Sequence, residues 1–240
     1  MIFRRIIYTT LFVGLLAGLL MSVVQIFTVN PIIFAAEAFE VHDHGSHVHG
    51  EEAWAPADGS ERTFYTVFSN ISAGIGFSAI LLALMSQLQT SGMTRLTIPK
   101  GALWGLAGFI VAFVAPGIGM PPEIPGIQAA PLESRQLWWL LAVVGTALGI
   151  FVLAFVRIKY KAWGVVAIAL PFFIGAPQHD GPAFTHPDPV VVASLTQLHE
   201  QFMVVTSLSN LLFWLVMGVV SAWALNRWVL RQASVSLTHT

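Results

Sequence analysis

The stretch HDHGSHVHGEE, residues 42–52, holds His42, His44, His47 and His49, half of the eight histidines in the chain. Neutral imidazole is a strong ligand for first-row divalent metals. The spacing H-x-H-x-x-H-x-H, in a segment that contains glycine, lets a flexible loop fold two or three rings around one ion. Asp43, Glu51 and Glu52 add oxygen donors and negative charge to the same segment. The chain has no cysteine, which removes thiolate sites, iron–sulfur clusters and disulfides from consideration. The remaining ligand set suits Co²⁺, Ni²⁺, Zn²⁺ or Cu²⁺ better than Cu⁺. Affinity order alone favours Cu²⁺, so these ligands do not by themselves select cobalt or nickel. The competing reading is a solvated, pH-responsive linker with no metal role.

A second set of such residues lies in GAPQHDGPAFTHPDP (175–189) and QLHEQF (197–202). His179, Asp180, His186, Asp188, His199 and Glu200 can line the mouth of a pathway for a cation. Taken singly, each also reads as an ordinary loop residue. Glu200 equally reads as favourable first-turn charge on a helix expected to begin near 201. Glu123 sits in GMPPEIPG (119–126), where three prolines make a rigid turn. That turn fixes the approach of its neighbouring segments, and Glu123 is a further candidate for the mouth.

Other chemistries lack their residues. No G-x-x-x-x-G-K-[ST], H-E-x-x-H or G-x-S-x-G occurs, so neither nucleotide-driven nor hydrolytic machinery is expected and the chain does not read as an enzyme. No Lys/Arg-rich patch suits nucleic acid. A proton-coupled carrier usually places a carboxylate or histidine at membrane depth, and the apolar segments contain none that is convincing.

These residues must be positioned by apolar elements. Of 240 residues, 56% are hydrophobic and 10% charged, with mean hydropathy +0.76. A soluble domain is typically about 25% charged. Uncharged runs of about 20 residues can cross a hydrocarbon core as helices. The fold class expected is therefore all-α, a polytopic transmembrane helix bundle. Six spans are read at about 6–29, 63–88, 102–115, 136–156, 162–176 and 201–225. The fifth is short and carries Pro171, so five crossings with a re-entrant segment are the alternative. The first run is too long for a signal peptide, whose apolar region is about 7–15 residues, and reads as an uncleaved span.

Basic residues near span ends prefer the cytoplasm. With six spans and both termini cytoplasmic, nine of the eleven basic residues fall inside, and only Arg62 and Arg135 fall outside. All twelve carboxylates and seven of the eight histidines then fall outside. A face rich in carboxylate and imidazole attracts cations. The organisation expected is one transmembrane domain over 1–240, with an outer His-rich loop at 31–62 and further outer loops at 116–135 and 177–200. Small residues four apart, in Gly14/Gly18/Ser22, Ser72/Gly76, Gly101/Gly105, Gly145/Gly149 and Gly218/Ala222, predict close helix contacts in lipid.

Several stretches together resemble the CbtA family of predicted cobalt transporter subunits. They are the His loop leading into AWAPADGSERTFYT (53–66), then APGIGMPPEIPG (115–126), RQLWW (135–139), ALPFFIGAPQ (169–178) and LLFWLVMG (211–218). The resemblance covers nearly the whole chain, although the family is usually described with about five spans. It implies import of Co²⁺ for cobalamin synthesis, with the ion as cargo and no tightly bound cofactor. It also implies a small single-span partner, CbtB, in the inner membrane. Nickel as cargo, or a non-transporting metal sensor or assembly factor, are the alternatives.

Overall fold

The computed structural model describes residues 2–40 and 56–230, and among them every regular element is helical. In chain order these are α1 (Ile2–Thr28), α2 (Asn30–Glu40), α3 (Ser60–Thr90), α4 (Ile98–Phe109) and α5 (Ala115–Gly119). After them come α6 (Leu132–Phe155), α7 (Lys161–Ile174) and α8 (Pro189–Ala224). A π-helical turn, Ile110–Val114, joins α4 to α5, and a second, Leu225–Leu230, extends α8.

Five stretches are long and apolar enough to cross a membrane: Phe3–Thr28, Ser60–Thr90, Ile98–Gly119, Leu132–Phe155 and Pro189–Val229. In lipid every backbone N–H and C=O must be satisfied inside its own segment, which leaves helix as the answer for such runs. Their outward faces carry Leu15, Phe68, Ile80, Leu103, Leu148 and Leu208, all exposed. Large apolar side chains on that scale are tolerated where the surroundings are hydrocarbon.

The expected fifth span corresponds to α7. Its 14 residues span roughly 21 Å, short of a hydrocarbon core of about 30 Å. Pro171 lies inside it and has no N–H for the Ala167 carbonyl one turn earlier. That carbonyl lies where a side chain on Gly145 of α6 would sit, 2.6 Å from an added Cβ. Gly149 and Gly164 make the same helix pair close along its length.

Two elements depart from expectation. Residues 30–40, read as the start of a loop, form α2, because Pro31 falls in a helix's first turn, where its missing N–H costs nothing. Ile32, Ile33, Ala36 and Phe39 then lie on one helical face, which packs into a core with Ile124, Phe184, Leu195 and Phe202. The last helix begins at Pro189 rather than near 201. The Asp188 side chain caps it by accepting the Val190 N–H at 2.8 Å, with Pro189 at the first helical position. Glu200 is therefore well inside α8, and the first-turn reading of its charge does not hold.

The chain divides into two compact units. The first contains α1 as far as Val24, α3, α4 and α8 from Ser209. Here Gly14 and Gly18 of α1 meet α3 backbone at Gly74, Ile75 and Ile71 so closely that no Cβ fits. Ser22 donates to the Gly18 carbonyl at 2.8 Å and accepts from Asn70 Nδ2 at 3.2 Å. Ser78 donates to the Thr10 carbonyl at 2.9 Å. Gly101 and Gly105 of α4 lie against Gly218 and Ala222 of α8 in the same manner.

The glycine spacing is thus used in α1, α4, α6 and α8. In α3 it is not: Ser72 and Gly76 are exposed, and Gly74 and Ser78 make the contact. The second unit contains α2, α5, α6, α7 and the first half of α8, with the connections between them.

Candidate cation-handling site

The capture-loop residues His42, His44, His47, His49, Asp43, Glu51 and Glu52 lie outside the described residues. The second group lies within the second unit, where the Pro-rich turn after α5 meets α6, α8 and the segment before α8.

The turn leaves α5 at Met120 and carries Pro121, Pro122 and Pro125. Proline fixes its own φ and biases the preceding residue towards extended backbone, so this segment has few conformations to choose from. Gly126 ends it with φ 87°, a conformation that costs glycine least. Beyond it, Gln128 donates its backbone N–H to the Ala183 carbonyl at 2.9 Å, tying the turn to the segment that leads into α8.

His199, half-buried on α8, makes a 3.0 Å hydrogen bond from Nε2 to the Pro122 carbonyl. A carbonyl oxygen only accepts, so Nε2 carries the proton and the neutral ring keeps its lone pair on Nδ1. Donation of one ring N–H to a backbone carbonyl is the usual way a protein orients a metal-ligating histidine. Phe184 packs edge-on to the ring at 6.2 Å between centroids. Next to Pro122, the Glu123 carboxylate accepts from Arg135 Nη2 of α6 at 2.5 Å, each side chain being 29% exposed. The Pro-rich turn is therefore held from two helices, by His199 of α8 at the Pro122 carbonyl and by Arg135 of α6 at the Glu123 carboxylate.

The other candidates serve elsewhere. His186 Nδ1 accepts the Asp188 N–H at 3.0 Å, as part of the turn that starts α8. His179 and Asp180 are exposed in the loop after α7, and Glu200 is exposed on α8. Among the described residues, no group of three or more His, Asp or Glu is arranged to hold a metal ion. An open groove of about 410 Å³ beside α6 and α7 is lined by Leu137, Trp138, Leu141 and Ile174 among others, with no ionisable side chain.

Arg135 is the residue that sequence reasoning placed only by topology. Its role as the partner of Glu123 had one visible sign: it is the only basic residue between Lys100 and Arg157. The Pro122–His199 contact had none, because it uses a backbone carbonyl 77 positions from its donor.

A family model described as "Probable cobalt transporter subunit (CbtA)" matches residues 3–226. No curated protein and no solved structure matches the chain.

Proposed function

The chain belongs to the CbtA family of probable cobalt transporter subunits, and from that premise we propose that it is a multi-pass inner-membrane subunit of a divalent-metal uptake system with Co²⁺ as cargo. The family match carries the cargo. The charge distribution of the sequence supports the direction.

In the six-crossing topology, all twelve carboxylates and seven of the eight histidines share the outer face, opposite nine of the eleven basic residues. Such a face raises the local concentration of cations. His42, His44, His47 and His49 collect the ion there, with Asp43, Glu51 and Glu52 supplying charge. Glu123 and His199 receive it at the Pro-rich turn, with His179, Asp180, His186 and Glu200 lining the approach. The ion then passes between the apolar helices, together with a single-span CbtB-like partner.

The test is accumulation of radioactive cobalt by cells that express the chain with and without that partner. Uptake that depends on the chain, and falls when the four loop histidines become alanine, supports the proposal. Normal accumulation in cells lacking the chain overturns it and leaves a non-transporting metal sensor. Competition by Ni²⁺ in the same assay identifies nickel as the cargo if it suppresses uptake better than unlabelled cobalt does.

A further inference from the structure

The charged side chains described in the first unit are sorted to its two ends. Asp58 and Glu61, its only described carboxylates, lie at the start of α3 with Arg62, which pairs with Asp58 at 3.2 Å. The other basic residues are Arg4 and Arg5 at the start of α1, Arg95 and Lys100 at the start of α4, and Arg227 just after α8. The glycine contacts pair α1 antiparallel with α3, and α4 antiparallel with α8. Trp228, beyond α8, meets Phe12 of α1 with ring centroids 5.1 Å apart. These five cations therefore share one end of the unit.

One residue gathers three of them. The N–H of Leu96 donates to Gln89 Oε1 at 2.6 Å, and its carbonyl accepts from Asn226 Nδ2 at 3.2 Å. The Leu96 side chain is buried. Arg95 is the chain neighbour of Leu96, Arg227 is the chain neighbour of Asn226, and Lys100 lies in the first turn of α4. All three are exposed, and none has a carboxylate partner among the described residues. Like charges held on a braced connection repel one another unless an anion is brought to them. Trp223 and Trp228 are exposed beside them, edge-on at 5.1 Å, and Arg4 lies over the exposed Tyr8 ring at 5.6 Å. Tryptophan and tyrosine on membrane helices settle at headgroup level, the depth of the lipid phosphates.

We propose that Arg95, Lys100 and Arg227 form a binding face for the phosphate of an anionic phospholipid, with Arg4 and Arg5 strengthening its field. A guanidinium matches phosphate as a planar fork, and the lysine adds a point charge. The exposed rings favour lipid over a soluble polyanion, because the same face offers apolar surface as well as charge. In the six-crossing topology this end faces the cytoplasm, whose leaflet carries anionic lipid. The face is independent of the cargo and of the residues that handle it.

The experiment adds phosphatidylglycerol or phosphatidylcholine, with the same acyl chains, to the purified full-length protein in neutral detergent. Native mass spectrometry then measures the lipid retained. Wild type retains phosphatidylglycerol in preference to phosphatidylcholine. Arg95→Gln, Lys100→Gln and Arg227→Gln each weaken that preference by about fivefold, the scale of one charge at an anionic surface. The triple variant loses it. Arg227→Lys keeps it, and so does Arg62→Gln at the opposite end.

Equal retention of the two lipids by wild type overturns the proposal, as does a preference that survives the triple substitution. If the triple variant does not fold, the single variants decide, and no weakening in any of them overturns it. Displacement of the lipid by an equal concentration of glycerol 3-phosphate overturns the lipid assignment in favour of a soluble phosphate ligand.

Discussion

His199 and Pro122 are 77 positions apart in the chain, yet the imidazole Nε2–H of one meets the carbonyl of the other at 3.0 Å. The bond pins a rigid turn to the side of a long helix, and a backbone acceptor gives it a partner that no side-chain substitution removes. His199→Leu leaves that half-buried carbonyl without its donor, at a cost of about 1 kcal/mol or somewhat more. Thermal unfolding of the purified protein reads the loss. Glu200→Ala, next in sequence but exposed, stays within about 0.5 kcal/mol of wild type.

The α1–α3 contact tolerates no side chain at its closest point. A Cβ on Gly14 would lie 2.5 Å from the Ile75 Cα, whereas a Cβ on Gly76 has nothing within 4 Å. Gly14→Val therefore destabilises by at least about 2 kcal/mol, because backbone rather than a movable side chain must yield. Gly76→Ala is neutral or slightly stabilising, as expected for an exposed helical glycine. Equal melting temperatures for the two variants would show that the helices do not meet through Gly14.

Whether α7 crosses the membrane is decided by its two ends. The chain has no cysteine, so a single introduced thiol reports without background. Lys159 precedes α7 and Asp180 follows it, and both are exposed. With six crossings, a membrane-impermeant thiol reagent labels Asp180→Cys in intact cells and reaches Lys159→Cys only after permeabilisation. Labelling of both from one side shows a re-entrant α7.

The capture role proposed for residues 42–52 predicts a pH signature. Imidazole must be neutral to bind a metal, and an unperturbed histidine titrates near about 6.5. Protonation competes with the ion as pH falls, so affinity is retained above that value and lost below it. A peptide of the loop titrated with Co²⁺ weakens by at least about tenfold between pH 7 and pH 5. The four-His→Ala peptide binds weakly at both. Binding that is indifferent to pH, or to the four histidines, excludes imidazole capture.

The sequence by itself determined that the chain is helical and membrane-spanning in composition. Long uncharged runs in lipid leave the backbone one way to satisfy its hydrogen bonds, within the segment itself, so the answer is local. For the same reason the short length of α7 was legible from the run around Pro171. The start of α8 at Asp188–Pro189 was also locally encoded, as a cap followed by a first-turn proline. So was α2, whose Ile32, Ile33, Ala36 and Phe39 repeat at helical spacing behind Pro31. In both places the apolar runs on either side drew the boundary elsewhere.

Partnership between segments was decided only by the tertiary structure. Small residues at 72 and 76 fit the close-contact spacing as well as those at 74 and 78 do, and only the face turned towards α1 selects the second pair. The bonds from Glu123 to Arg135 and from His199 to Pro122 join groups whose spacing carries no periodicity. The metal-capture reading of the four histidines at 42–49 rests on type and spacing alone. Glu123 and His199 take their partners from what the fold brings to each of them, because hydrogen bonds and ion pairs form between surfaces that meet in space, whatever their distance along the chain.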